Sequence, residues 1–430
     1  MATSSDTAKR TIGRLLESGS LNQLVERIRP VMPEERPLPP PPPDPRNWSR
    51  ESAEGRKAFV RNAVGDQLPY LTGSEEIDDP SELKGNIEQF IGMTQIPTGL
   101  IGPLRINGTM AHGDFYVPLA TTEGALVASY HRGASLISRC GGATTVCLTE
   151  VVQRSPCFRF ENFAQAGSFL IWVMTHQEEI IKIVPQHSNH AKLEEIKPNV
   201  DGNQITLLLE FSTGDAAGQN MVTICTDAIC TWILETCPVS PTFWFVEGNL
   251  SGDKKATALS FLSVRGKKVT SEVLVPRELV ERILRTSPEA MFNYWKTSIL
   301  NGVQSGSIGV NGHFANGLAA IFLACGQDVA CVAEASVGTT RFDITESGDL
   351  YACVTLPSLI VGTVGGGTRL PTQREALRIL GCEGNGTARK FAEICAATVL
   401  CGELSIVGAI AAGDFAKAHA LYGRRKKSSE

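Results

Sequence analysis

Apolar and polar positions change period several times along the chain, and the changes mark out its elements. Between residues 8 and 30, Ile12, Leu15, Leu16, Leu21, Leu24, Val25 and Ile28 recur at helical intervals broken by "SGS". The run "PEERPLPPPPPDP" follows. A proline run is extended and cannot join a core, so Pro37 to Pro45 reads as a linker, with polyproline II docking to a partner as the alternative. The folded body is then expected from about residue 50. From residue 157 to 248 the order is strand, long helix, two strands, helix, strand: "CFRF", Asn162 to about Ile183, "KLEEIKP", "ITLLLEF", Gln219 to about Glu235, and "TFWFVE". That order predicts a split βαβ, ferredoxin-like unit inserted as its own small domain. On either side, "NGLAAIFLACGQD" and "TARKFAEICAATVLCGELSIVGAIAAGDFAKAHALY" carry wide apolar faces, which predicts helices buried inside a larger domain or at a subunit interface. No internal repeat is found.

Composition narrows the class. The 430 residues are 42% hydrophobic and 20% charged, enough for two or three globular domains around an extensive core. A net charge of −5 provides no global basic field for nucleic acid or an anionic membrane, and the basic end "RRKKSSE" reads as a solvated tail. The 12 cysteines are scattered singly through apolar segments without zinc-like spacing, so no metal site is expected and the thiols read as reduced and cytoplasmic. No secretory h-region and no bilayer-length apolar stretch is read, so the chain is expected to be soluble.

Several polar residues sit where chemistry could use them. "VEGNLSGDKKAT" places two lysines behind an aspartate in a glycine-rich turn; taken alone, a solvated loop is the simpler reading. Glu123 in "PLATTEGALVAS" has apolar neighbours, and is either a satisfied structural carboxylate or an acid with a raised pKa. Asp328 follows an alanine-rich run, where a helix-end polar residue is the simpler reading, and for His419 near the C-terminus, taken alone, a packing or surface role is the simpler one. "STGDAAGQNM" follows an apolar strand and opens a helix, so its amides could face a phosphate, although it does not fit GxGxxG. "VGTVGGGT" allows close approach of a ligand to the backbone or forms a plain tight turn.

Together, "PLATTEG", "GDKK", "GQD", "GTVGGGT" and "AAGDFAKAHALYGRRK", in that order and spacing, resemble the 3-hydroxy-3-methylglutaryl-CoA reductase family over about residues 80 to 427. The segment "EQFIGMTQIPTGLIGPL" resembles that family's dimerisation segment, and "GDAAGQNM" its cofactor motif. The resemblance implies an α+β fold: a large α/β substrate domain of the reductase type carrying an inserted ferredoxin-like cofactor-binding domain. The implied boundaries are an extension at 1–49, a small helical segment at 50–86, the large domain at 87–158 and 259–424, the inserted domain at 159–246, the lysine loop at 247–258 and the tail at 425–430.

It also implies the reaction, a four-electron reduction of an acyl-CoA thioester to mevalonate and CoA with NADPH, NADH being the alternative donor. Lys254, Glu123, Asp328 and His419 match the catalytic set. Lys254 would stabilise the oxyanion, Glu123 would handle protons and so needs a raised pKa, Asp328 would link the two, and His419 would protonate the departing thiolate. Asp253, Lys255, Arg159, Ser129 and Arg132 match substrate contacts. Ser188, Asp215, Gly218, Asn220, Gly326, Gln327, Gly365, Gly366 and Gly367 match the cofactor side. The family's active site lies between subunits, so a homodimer or homotetramer is implied.

Three positions depart from the family pattern. Glu247 stands where relatives have serine, and would repel an anionic substrate unless turned away. Ser188-Asn189 replaces the Ser-Arg that holds a 2′-phosphate, leaving His190 or Lys192 as substitutes. Arg425 replaces a regulatory serine. A reductase of another short acyl-CoA, and an inactive scaffold homologue using the proline segment, are the rival readings.

Overall fold

The computed structural model describes residues 5–17, 19–262 and 265–414. Its strands are β1 (Thr98–Gly108), β2 (His112–Ala120), β3 (Ala143–Arg154), β4 (Cys157–Arg159), β5 (Lys192–Asp201), β6 (Gln204–Ser212), β7 (Phe243–Phe245), β8 (Gly266–Val275), β9 (Thr339–Ile344) and β10 (Leu350–Leu359). In β10, buried and partly exposed residues alternate over most of the strand, the period expected of a sheet with one face on a core.

The inserted unit forms as the sequence pattern predicts. Its strands lie in the order β5, β6, β4, β7, every pair antiparallel, with a helical segment on each crossover, which is the ferredoxin-like arrangement. The long helix expected from Asn162 is broken at His176 into Phe163–Thr175 and Gln177–His187. Phe158, Phe160, Phe169, Phe211 and Ile229 fill a core separate from that of the large domain.

β3 belongs to both sheets. Thr144 to Val151 pair antiparallel with β8 of the large domain, and Val152 to Arg154 pair with β6 of the inserted one. Under the large sheet runs the core helix, Ala388–Ala411, buried from Ala388 to Ser405 apart from Arg389 and Lys390. It is long and apolar enough to cross a membrane, yet here it is enclosed by protein. Two charges inside it are satisfied by main-chain N–H groups together with a threonine hydroxyl each. Glu393 accepts from Met110, Ala111 and Cys147 N–H at 2.9, 2.7 and 3.2 Å, and burial raises its pKa against those bonds. Glu403 accepts from Gly312 and His313 N–H at 2.7 and 2.8 Å and from Thr340 Oγ1 at 2.6 Å.

The proline-rich stretch is not a free linker, which corrects the sequence reading. The helices Ser5–Leu15 and Leu21–Ile28 form as predicted, but the chain after them is laid along the large domain. Val31 N–H donates to Gly141 O at 2.8 Å, and Thr144 Oγ1 donates to Ile28 O at 2.7 Å. Arg105, fully buried beside Asp114, donates to Val31 O at 2.9 Å and Pro37 O at 3.2 Å, and Tyr116 Oη donates to Pro40 O at 2.5 Å. Proline lacks a donor but keeps its carbonyl, so an extended proline segment can be held through its acceptors. Farther out, Arg10 pairs with Glu195 of the inserted unit at 3.4 Å, and Glu17 with Arg389 at 2.8 Å.

Candidate active site

The lysine loop is built on left-handed backbone. Asn249, Gly252 and Lys254 have φ of 66°, 71° and 55°, and a lysine in that region is costly unless its surroundings fix it. Two contacts fix Lys254. Its N–H donates to Glu334 Oε1 at 3.2 Å, and its Nζ lies 2.8 Å from Asp328 Oδ2. The hydrogen bond to Asp328 holds the lysine pKa above its ordinary value. Asp328 is positioned by its neighbours, because its other oxygen caps a short turn through Ala330 N–H at 3.0 Å. Lys254 and Asp328 are thus brought together, whereas Glu123, which the resemblance would join to them, bonds Asn316; both members of the pair keep about 41% of their side-chain surface open.

Asp253 and Glu247 face inward. Asp253 accepts from Arg154 Nη1 at 2.9 Å and Arg265 Nη2 at 2.8 Å, so both its oxygens anchor the loop. Glu247, where repulsion of an anionic substrate was the concern, is turned into its own loop: it accepts from Asn249 N–H at 2.6 Å, Ser251 Oγ at 3.1 Å and the Ser155 hydroxyl. Lys255 is exposed, its Nζ on the carbonyl of Asp253 at 2.9 Å.

Glu123 does not occupy the apolar setting its sequence neighbours suggest. It is exposed on a turn before the helix Leu126–Arg139, because Leu126 and Tyr130 take the inward face, and its carboxylate accepts from Asn316 Nδ2 at 2.8 Å. Ser129 and Arg132 lie on that helix and grip the core helix: Ser129 Oγ and Arg132 Nε are 2.9 and 3.0 Å from Ser405 Oγ, and Arg132 Nη2 donates to Ser405 O at 2.6 Å. Gly133 permits this approach, since a methyl there would lie 2.5 and 2.6 Å from the carbonyl carbon and Cα of Cys401. Arg159, on β4, stands 5.4 Å over the Phe243 ring. His419 and Arg425 lie outside the described residues.

On the cofactor side, the helix Gln219–Thr236 starts at Gly218, whose φ is 80° and which leaves the first turn without a side-chain cap. Asn220 on that turn is exposed. Uncapped amides and the helix dipole suit a phosphate group, so this end fits a phosphate-bearing cofactor. Gln219 Nε2 reaches Cys331 Sγ at 2.8 Å, three residues from Asp328, which sets the helix start beside the lysine pair. Asp215 is occupied structurally: it accepts from Gly386 N–H at 2.7 Å and Ala388 N–H at 3.0 Å, capping the core helix. Gln327 is buried, donating to Cys325 O at 2.7 Å and accepting from Gly362 N–H at 2.9 Å. Gly326 and Gly367 meet back to back, since a methyl on Gly367 would sit 2.6 Å from Gly326 O. Gly365 and Gly366 have φ of 77° and 54° on the open side of that turn. Ser188 Oγ accepts from His190 and Ala191 N–H at 3.2 and 3.0 Å, with His190 and Lys192 exposed beside it.

Sequence reasoning did not single out Arg154, Arg265, Gln219 or Glu334. Arg265 Nη1 pairs with Glu334 Oε1 at 2.6 Å, and both residues are buried. Burial raises the Glu334 pKa, and Arg265 opposes the rise. A lone glutamate among small apolar residues in "ACVAEASVG" was a readable signal. Among the described residues no cluster of metal-ligating side chains occurs.

The chain resembles known proteins in sequence and in fold. The hydroxymethylglutaryl-coenzyme A reductase family profile matches residues 52–424. The 3-hydroxy-3-methylglutaryl-coenzyme A reductase of Pyrococcus abyssi is 47% identical over 386 residues, covering 87% of this chain and 93% of the relative. That of Aeropyrum pernix is 45% identical over 384 residues, covering 87% and 90%. In fold, the class II reductase of Streptococcus pneumoniae solved bound to NADPH in open conformations superposes with a TM-score of 0.67 at 17% identity, over 85% of this chain and 97% of that one. The chain belongs to the hydroxymethylglutaryl-coenzyme A reductase family and is an oxidoreductase of that family.

Proposed function

We propose that the chain reduces 3-hydroxy-3-methylglutaryl-CoA to mevalonate and CoA with NADPH, at the site built by Lys254 and Asp328. The observation that carries the reading is the 2.8 Å pair between them, set beside the open end of the helix Gln219–Thr236. NADPH, when bound, supplies hydride; its phosphates would face the amides after Gly218, with Asn220, Gly365 and Gly366 on the open rim and Ser188, His190 or Lys192 near the 2′-phosphate. Lys254 then places a fixed ammonium where negative charge develops on the thioester oxygen, and again on the aldehyde oxygen. Asp328 keeps that ammonium charged and aimed. Lys255 and Arg159 are exposed cations suited to an anionic acyl group, and Ser129 and Arg132 are proposed on the CoA side. Asp253 contributes by anchoring the loop.

Glu123 is assigned the proton-handling role and His419 the protonation of the leaving thiolate. The exposure of Glu123 supports a site completed by a second subunit, where a partner surface would exclude water from it. The segment resembling a dimerisation element supports the same reading, because Ile91 and Met93 within it are exposed. All 12 cysteines are free, which supports a cytoplasmic, reducing location.

The test is a turnover assay with purified chain, following NADPH oxidation and mevalonate. Two NADPH consumed per mevalonate is expected. No product with either NADPH or NADH overturns the proposal, and comparable turnover of another short acyl-CoA overturns the substrate assignment.

A further inference from the structure

We propose that Arg154 is a positioning residue that couples the seating of the cofactor helix to the orientation of Lys254. This deepens the reading of the site as an NADPH-dependent reductase and rests on it. Arg154 ends β3, the strand shared by both sheets, and is 7% exposed. Its guanidinium has one face on each side of the site. Nε donates to Thr223 Oγ1 at 2.8 Å and Nη2 to Gln219 O at 3.3 Å, both on the first turns of the helix Gln219–Thr236. Nη1 donates to Asp253 Oδ2 at 2.9 Å, the residue before Lys254.

From Asp253 the connection continues without a gap. The other Asp253 oxygen accepts from Arg265 Nη2 at 2.8 Å, Arg265 Nη1 holds Glu334, and Glu334 accepts the Lys254 N–H. Charges alternate along it: Arg154, Asp253, Arg265, Glu334. A buried ion depends on its partners, so moving one member moves the next. The left-handed backbone of Lys254 is therefore held by a series whose far end rests on the cofactor helix.

A guanidinium suits this place because its donors form a rigid planar fork that can bond in three directions at once; an ammonium is one point charge on a flexible stem. Arg154→Lys should keep the charge and lose the coupling. Asp253→Asn cuts the series on the lysine side and Thr223→Val weakens it on the helix side. Wild type and these three variants are compared for NADPH affinity by fluorescence titration without acyl-CoA, for kcat, and for unfolding midpoint.

Arg154→Lys is expected to weaken NADPH binding about tenfold and lower kcat by up to about 10²-fold, the loss typical of a displacement of about 1 Å at a reacting group. Thr223→Val should change affinity more than kcat, and Asp253→Asn kcat more than affinity. In the Arg154→Lys, Asp253→Asn double variant the kcat losses should not multiply, because both cut one series. A fully multiplicative double variant, or an Arg154→Lys enzyme with normal affinity and kcat, overturns the coupling. So does a variant whose only defect is a lowered unfolding midpoint. Wild-type chain that neither binds NADPH nor turns over substrate overturns instead the reading of the site.

Discussion

Gly133→Ala and Gly167→Ala are the same chemical change at two helical sites, and the structure gives them opposite signs. At Gly133 the new methyl would sit 2.5 and 2.6 Å from main-chain atoms of Cys401, where ordinary contact begins at 3.4 Å. The obstacle is backbone of the core helix, so no side-chain end can swing aside, and the two helices must part by roughly 1 Å in a close-packed interior. Overpacking of this kind costs about 1–3 kcal/mol, and a rigid neighbour puts the value near the top of that range. Alanine's higher helix propensity offsets about 1 kcal/mol, leaving a net loss of about 2 kcal/mol. At Gly167 nothing lies within 4 Å, so the propensity gain of about 0.5–1 kcal/mol should appear unopposed. Urea unfolding followed by circular dichroism tests both: the midpoint should fall for Gly133→Ala and rise for Gly167→Ala. Because Gly133 lets Arg132 and Ser129 reach Ser405, the first variant should also raise KM for acyl-CoA. A Gly133→Ala chain as stable as wild type would refute the helix contact on which this reasoning rests.

Asp328→Asn removes the hydrogen bond that chiefly raises the Lys254 pKa. A raised lysine pKa contributes stability that is complete below the ordinary value of about 10.4 and is lost as pH rises through the folded value. The variant should therefore be less stable at neutral pH by at most about 1 kcal/mol, the pair being half-exposed, with the difference closing at alkaline pH. Its alkaline limb of kcat/KM should move to lower pH; an unmoved limb contradicts the pairing. His419→Ala should lose about 10²- to 10⁴-fold in thioester turnover while keeping most mevaldehyde reduction, measured on both substrates, since the aldehyde expels no thiolate. Equal losses on the two substrates would assign His419 to binding or packing. Deleting residues 1–40 removes the carbonyls that Arg105 and Tyr116 bond, and should destabilise the chain by about 1–3 kcal/mol in urea; no change would restore the linker reading.

The inserted domain was legible because its strands and helices are local and each carries its own period, from "CFRF" to "TFWFVE". That Lys254 and Asp328 meet could be expected only from the resemblance carried by "GDKK" and "GQD", since 73 residues separate them. Contacts between distant charges left no such trace. Arg154, Asp253, Arg265 and Glu334 are scattered over some 180 residues, and nothing in local pattern says which arginine meets which carboxylate. Glu123 was misplaced for a related reason: apolar neighbours in sequence show that a helix is buried, without showing which way one side chain on its leading turn faces. The proline segment was misread because its retention depends on acceptors, which every proline keeps, while composition reports only the missing donors.

The core helix Ala388–Ala411 has a consequence for the newly made chain. It follows all ten strands in chain order, so about 36 Å of apolar helix must find its place under strands that are made before it. Until it docks, the sheet's inner face and the helix are both uncovered, so the unfinished molecule exposes its stickiest surfaces together. Glu393 and Glu403 then act as a register check: each is tolerated only when its waiting amides are reached, so a helix slipped by one turn would bury two unpaired carboxylates. Refolding from denaturant should accordingly be limited by aggregation at high chain concentration, and an agent that shields apolar surface, such as a chaperone, should raise the yield.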